Sequence, residues 1–212
     1  SSLVPWAVPV NQASAAVVEG TSNAVVNNVY SEMLVKAKGY YDITKAKVLS
    51  NYLDTLAFRN AWGGDFTGYT LPPEFASDYI NNQAGGYGDR ILGLLAVGGN
   101  PYETSTRQNL VKDLVQYQMP SGSFNTSNLA VHSWAVIGLN EASAAEYYNK
   151  SLPAPAKLYD KTAAINHIIS KQNAANGSIG GTLSSTATAL IALAGAKEID
   201  GVDAAIQKAV AY

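Results

Sequence analysis

The sequence contains no cysteine. That excludes a disulfide framework, a thiolate nucleophile and any zinc site with a cysteine ligand, and it leaves the compartment open. Charge is also scarce: Asp, Glu, Lys and Arg make up 14% of the 212 residues, the net charge is −2, and the three arginines, Arg59, Arg90 and Arg107, lie far apart. Nucleic acid binds clustered positive charge, so no nucleic-acid partner is expected. The longest apolar stretches, around residues 91–99 and 187–196, fall short of the roughly 18 residues that cross a bilayer, and no transmembrane segment is expected. The first ten residues lack a basic flank and an apolar core, so a signal peptide is expected to have been removed or never to have existed. No long charged tract interrupts the chain, and 47% of it is hydrophobic. A single compact domain over residues 1–212 is the expectation.

What the chain does contain is a repeat. Leu110, Val111, Leu114 and Val115 fall at helical spacing; Gln118 follows, then Gly122, Ser123 and Phe124, then a second apolar helix through 134–139. The same order returns 54 positions later, with Ala164, Ile165, Ile168 and Ile169, then Gln172, then Gly177, Ser178 and Ile179, then 188–193. A looser copy has Tyr52, Leu53, Leu56 and Ala57, Asn60 in the glutamine's place, Gly64, Asp65 and Phe66 at the turn, and 91–95 as its second helix. Its connection is longer, through Leu71, Pro72 and Pro73 and the Gly85–Gly86 pair. A fourth copy begins at Ala205, Ile206, Ala209 and Val210, and the sequence stops at Tyr212, one position before the expected glutamine, as a truncated repeat does.

The repeats therefore run roughly over 45–100, 104–150 and 157–200, with a fourth starting at 203–212. Each is a helix, a glycine turn and a helix whose apolar positions at i, i+3 and i+4 need neighbours to cover them. Units of this kind gain stability by stacking. Proline at 101 and in 151–155 separates successive copies, because it cannot continue a helix. Upstream, residues 11–38 read as one or two more helices ended by Gly39. Two-residue alternation is not sustained, so the fold class expected is all-α, built of repeated helix pairs.

The pattern of Gln118 or Gln172, a glycine–serine turn, Phe124 or Ile179 and an Ala-rich apolar helix resembles the repeat of terpenoid cyclases and protein prenyltransferases. The likeness is best over residues 89–212, and 89–101 resembles the inner-helix segment of toroid modules in bacterial surface proteins, the subgroup most similar to this chain. The resemblance implies a partial α/α toroid. The first helix of each pair lies outside and the second lines a central cavity, the glutamine hydrogen bonds the turn, and the large residue after the glycine packs on it. Phe66, Phe124 and Ile179 stand where the cyclase repeat has tryptophan. The cyclases' Asp-x-Asp-Asp acid, the Asp-rich pyrophosphate site, the cysteine of the prenyltransferase zinc triad and the thioester motif of complement toroids are all missing.

Six residues are candidates for ligand binding: Trp62, Tyr87, Asp89, Arg90, His132 and Trp134. No residue is assigned to catalysis or to metal binding, and no cofactor is expected. His132 precedes Trp134 on the second helix of the central copy; it is either a general base facing the cavity or a capping or partly buried histidine. His167 reads as an exposed residue of an outer helix. Asp89 is either the N-cap of an inner helix or, with Tyr87 and Arg90, part of a cavity mouth that recognises a carboxylate or phosphate. The glycines at 85, 86 and 88 follow no strand and complete no nucleotide motif. Trp62, Gly63, Gly64, Asp65, Phe66 and Tyr69 form an aromatic turn that either stacks on a sugar or caps a core. Asp200 and Asp203 are too close for a calcium loop and are expected to start the last helix. Asn125, Asn149 and Asn176 head glycosylation sequons that a chain rich in Asn and Ser contains by chance.

Function is expected to be that of a non-catalytic binding or structural module of an exported or cell-surface bacterial protein. Its partner is a protein, a glycan, a small apolar ligand or further domains of the same longer chain. The alternatives are an α/α-toroid enzyme, either isoprenoid cyclase- or transferase-like or a polysaccharide lyase drawing on Asn81, Asn82, Tyr87, Arg90 and His132, or a small-ligand carrier. A lyase needs a basic groove, and the apolar inner helices do not suit a cyclase's aromatic cavity.

Overall fold

The computed structural model describes residues 35–36, 49, 52–62, 65–71, 84–105, 107–145 and 157–212. The expectations for the upstream helices, Gly63, Gly64, Asn81, Asn82, Asn149 and the linker at 151–155 lie outside these residues. Among the described residues there are seven α-helices: α1 Tyr52–Trp62, α2 Tyr87–Ala96, α3 Leu110–Val115, α4 Leu129–Glu141, α5 Lys161–Ile169, α6 Leu183–Ala194 and α7 Val202–Val210. No strand occurs among them; one antiparallel bridge joins Gln172 to Ile179. The all-α expectation holds.

Local chemistry sets where these helices begin. Asn109 accepts the Lys112 N–H ahead of α3, Asn128 accepts those of Ala130 and Val131 ahead of α4, and Asp160 accepts that of Ala163 ahead of α5. Thr182 and Ser185 form a reciprocal capping box at α6. Each satisfies backbone donors that the first helical turn leaves without a partner. Gly201 precedes α7 and Asp203 lies in its first turn, so the last helix opens where Asp200 and Asp203 were expected to start it.

The apolar stripes become the core. Leu110, Val111, Leu114 and Val115 of α3, Ala164, Ile165 and Ile168 of α5, and Val202, Ala205, Ile206 and Ala209 of α7 are buried in one continuous cluster with residues of α2, α4 and α6. The second helices of the pairs form a row: α2 packs on α4 and α4 on α6. Leu129, which starts α4, lies against Gly180 just ahead of α6, and Asn140 near the end of α4 lies against Gly195 just beyond α6. Those two contacts make α4 and α6 parallel. The first helices cover the row: α3 packs on α2, α5 on α4 and α6, and α7 on α5 and α6.

Each turn is fastened to the helix pair that follows it. Gln118 Nε2 donates to the carbonyls of Gly122 at 3.2 Å and Asp160 at 2.8 Å, and its Oε1 accepts the Asp160 N–H at 3.0 Å. Gln172 repeats the arrangement, donating to Gly177 at 3.0 Å and Ala205 at 2.8 Å. Gly122 and Gly177 have φ of 83° and 81°, and a Cβ on either would run into the backbone carbonyl of Ala163 or Lys208. Only glycine combines that conformation with that approach. Phe124 and Ile179 are buried behind the turns. Additional ties run from Tyr102 Oη to the Ala142 carbonyl at 2.7 Å, and from Lys161 Nζ to the Gly195 carbonyl at 3.0 Å and to Glu198 at 2.5 Å.

A second, smaller cluster joins Leu49 and Phe58 to Phe66, Tyr69 and Leu71. The Phe58 ring lies 5.0 Å from Phe66 and 4.3 Å from Tyr69. The aromatic turn of the first repeat therefore packs on α1, the core-capping alternative of the two expected for it.

Candidate functional site

The row of second helices draws tightest where α2 crosses α4. A Cβ on Gly88 would overlap the Trp134 carbonyl, and Gly138 lies directly opposite Gly88. Two glycines at a crossing bring helix backbones into contact and leave neighbouring side chains to define the surface. On α4, Trp134, Gly138 and Glu141 share one face at helical spacing. On α2, the first turn supplies Tyr87, Asp89 and Arg90. Gly88, set among Tyr87, Asp89 and Arg90, is thus brought against the backbone of Trp134.

Their environments differ from a solvent-facing mouth. Tyr87 is buried with its ring 5.8 Å from that of Tyr117, and Arg90 is only 3% exposed. Asp89 is half-buried, and burial pushes its carboxyl up from the usual carboxylate range. The N-cap role expected for Asp89 belongs instead to Gly86, which has φ of 87° and offers no side-chain cap. Asp89 stands inside the first turn, where the helix dipole favours its negative charge and desolvation opposes it. Trp134 is half-buried against the core. Trp62 closes α1, and its side chain lies outside the described residues.

His132 does not face a cavity. It is fully buried; its Nδ1 accepts the Phe124 N–H at 3.0 Å and its Nε2 lies 2.9 Å from the Ala164 carbonyl. An imidazole with one nitrogen accepting and the other donating to backbone has none left for a ligand. Burial pushes it down to about 4, so the ring is neutral at pH 7. This speaks against its assignment to the ligand-binding set, and its full burial goes further than the capping or partly buried alternative. His167, expected to be exposed, is half-buried with its ring edge against His132 at 4.7 Å.

The sequence reading missed Glu141. It closes α4 one turn beyond Gly138, is half-buried, and its Oε2 is buried without a hydrogen-bond partner. Burial pushes this carboxyl up to about 7. The adjacent Asn140 donates to the Ala192 carbonyl at 3.3 Å while its Oδ1 is buried and unpartnered. A signal was present: a carboxylate in the last turn of a helix opposes the helix dipole. Burial thus raises the pKa of two half-buried carboxyl groups, Asp89 in the first turn of α2 and Glu141 in the last turn of α4.

Elsewhere the second helices present apolar side chains. On α6, Leu183 is 74% exposed, Ala187 is exposed, and Leu190 and Ile191 are half-buried; on α4, Ala130 and Val131 are half-buried. Comparison of the chain with protein-family models, curated proteins and solved structures gave no match.

Proposed function

We propose that this chain is a binding or structural module of an exported or cell-surface bacterial protein, with its helix pairs forming part of an α/α toroid. The parallel run of α4 and α6, and the second layer made by α3, α5 and α7, support the toroid reading. The observation that carries the binding role is the apolar edge of α6, where Leu183, Ala187, Leu190 and Ile191 reach solvent along one helix. Apolar side chains grouped in this way favour contact with a partner surface. His132, the residue best suited to acid–base chemistry, is spent on the backbone of Phe124 and Ala164.

Glu141 favours a second reading, a toroid enzyme or small-ligand carrier. A carboxyl held near 7 in the last turn of α4 suits proton transfer or recognition of a polar ligand. Native mass spectrometry of the protein purified from its source, beside the same sample denatured, separates the two. A module shows the bare chain or a complex with another protein. A small molecule released on denaturation replaces the module reading with the carrier or enzyme and gives the ligand's mass.

A further inference from the structure

His132 occupies a place that the next repeat gives to Thr186. Each is the fourth residue of its helix, α4 or α6. The Phe124 N–H donates to His132 Nδ1 at 3.0 Å, and the Ile179 N–H donates to Thr186 Oγ1 at 2.9 Å. The two side chains thus perform the same task, holding the residue after Gly-Ser against the first turn of the second helix. Only one of them titrates. Because an N–H points at Nδ1, the neutral ring carries its proton on Nε2, which donates to the Ala164 carbonyl of α5. His132 therefore clasps the turn to α4 on one side and α5 to α4 on the other.

A proton on Nδ1 would set two N–H groups against each other where His132 is 0% exposed and water has no access. We propose that His132 makes the seam between the second and third helix pairs sensitive to acid: protonation of Nδ1 expels the Phe124 N–H and loosens the 122–124 turn, while Thr186 holds the equivalent turn at all pH values.

The surroundings support this. From α5, His167 meets the ring edge-on and opposes a positive charge on it, and Lys171 in turn opposes one on His167. The Phe124 ring lies 5.8 Å from that of His132 and 6.2 Å from that of Tyr159. Helix α6 carries no ionisable residue, and Asp89 and Arg90 of α2 follow Gly88, which meets the backbone of Trp134 rather than His132. Burial is the main reason that the charge is disfavoured; the bond to the Ala164 carbonyl works against it and His167 adds to it. The folded pKa lies below the ordinary 6.5, so the stability this clasp contributes is full above about 6.5 and is lost as pH falls through about 4.

Amide hydrogen exchange followed by NMR on the intact chain tests the proposal, with Ile179 as the control inside the same molecule. Between pH about 7 and about 4 the protection of the Phe124 amide is expected to fall relative to Ile179 by roughly tenfold or more. Equal change at the two amides, or none at either, overturns it. His132→Thr borrows the neighbouring repeat's solution and is expected to abolish the difference; a folded variant that keeps it also overturns the proposal. Should that variant not fold, the wild-type comparison still decides.

Discussion

The side-chain amide of Gln118 and the backbone of Asp160 exchange two hydrogen bonds, Nε2 to carbonyl at 2.8 Å and N–H to Oε1 at 3.0 Å. With the bond to Gly122 at 3.2 Å, one side chain satisfies three backbone groups from two repeats. Gln118→Ala leaves the Gly122 carbonyl and the Asp160 N–H without these partners, while the Asp160 carbonyl keeps the Ala164 N–H, and is expected to cost about 1–3 kcal/mol in urea unfolding. Gln118→Glu is more informative: a carboxylate there faces two carbonyls, of Gly122 and Asp160, with no proton to offer either. That variant should be least stable at neutral pH and recover as acid restores an O–H.

Gly122→Ala is expected to destabilise by more than about 3 kcal/mol, because the added Cβ meets the Ala163 carbonyl and the left-handed conformation disfavours any side chain. Thermal melts measure it. A shift of only a few degrees would show that α5 can retreat from the turn.

Glu141 predicts a pH dependence of opposite sign to that of His132. Its folded pKa of about 7 lies above the usual 4.5, so the stability linked to it is present below about 4.5 and is lost as pH rises through about 7. The loss should be on the order of 2 kcal/mol for this half-buried group. Glu141→Gln should remove the fall in melting temperature above about pH 6.5 and, with nothing left to offset His132, leave a rise between about pH 4.5 and 6.5. The two residues oppose each other between about 4.5 and 6.5, so a bulk melt of the wild type hides both slopes and residue-level exchange does not.

Leu129 and Leu183 occupy the same position in successive repeats, yet Leu129 covers Gly180 whereas Leu183 is 74% exposed. Leu129→Ser should cost about 1–2 kcal/mol and Leu183→Ser no more than about 0.5 kcal/mol, read from urea midpoints. A protein complex held by the α6 edge would be weakened by the second change alone.

Much of the fold was legible in the sequence because the determinants are local and repeated. The stripes at 110–115 and 164–169, the glutamines and the turn glycines each report a nearby requirement. His132 was harder, since its partner Ala164 is 32 residues away and only the superposition of His132 on Thr186 reveals a shared duty. Asp89 misled because aspartate is a good N-cap; the left-handed Gly86 directly before Tyr87 took that place. Glu141 acquires its character from burial, and no pattern of neighbouring letters encodes how much water the fold removes from one carboxyl group.

The bonds that fasten one repeat to the next have a lasting consequence. Gln118, Gln172 and His132 all bind the backbone of the following repeat, at Asp160, Ala205 and Ala164. Every residue type offers a carbonyl there, so the receiving helix is free to exchange its side chains without a matching change in the donor. Such a joint tolerates duplication, shuffling and divergence of its units, because the lock on one repeat fits the main chain of any other.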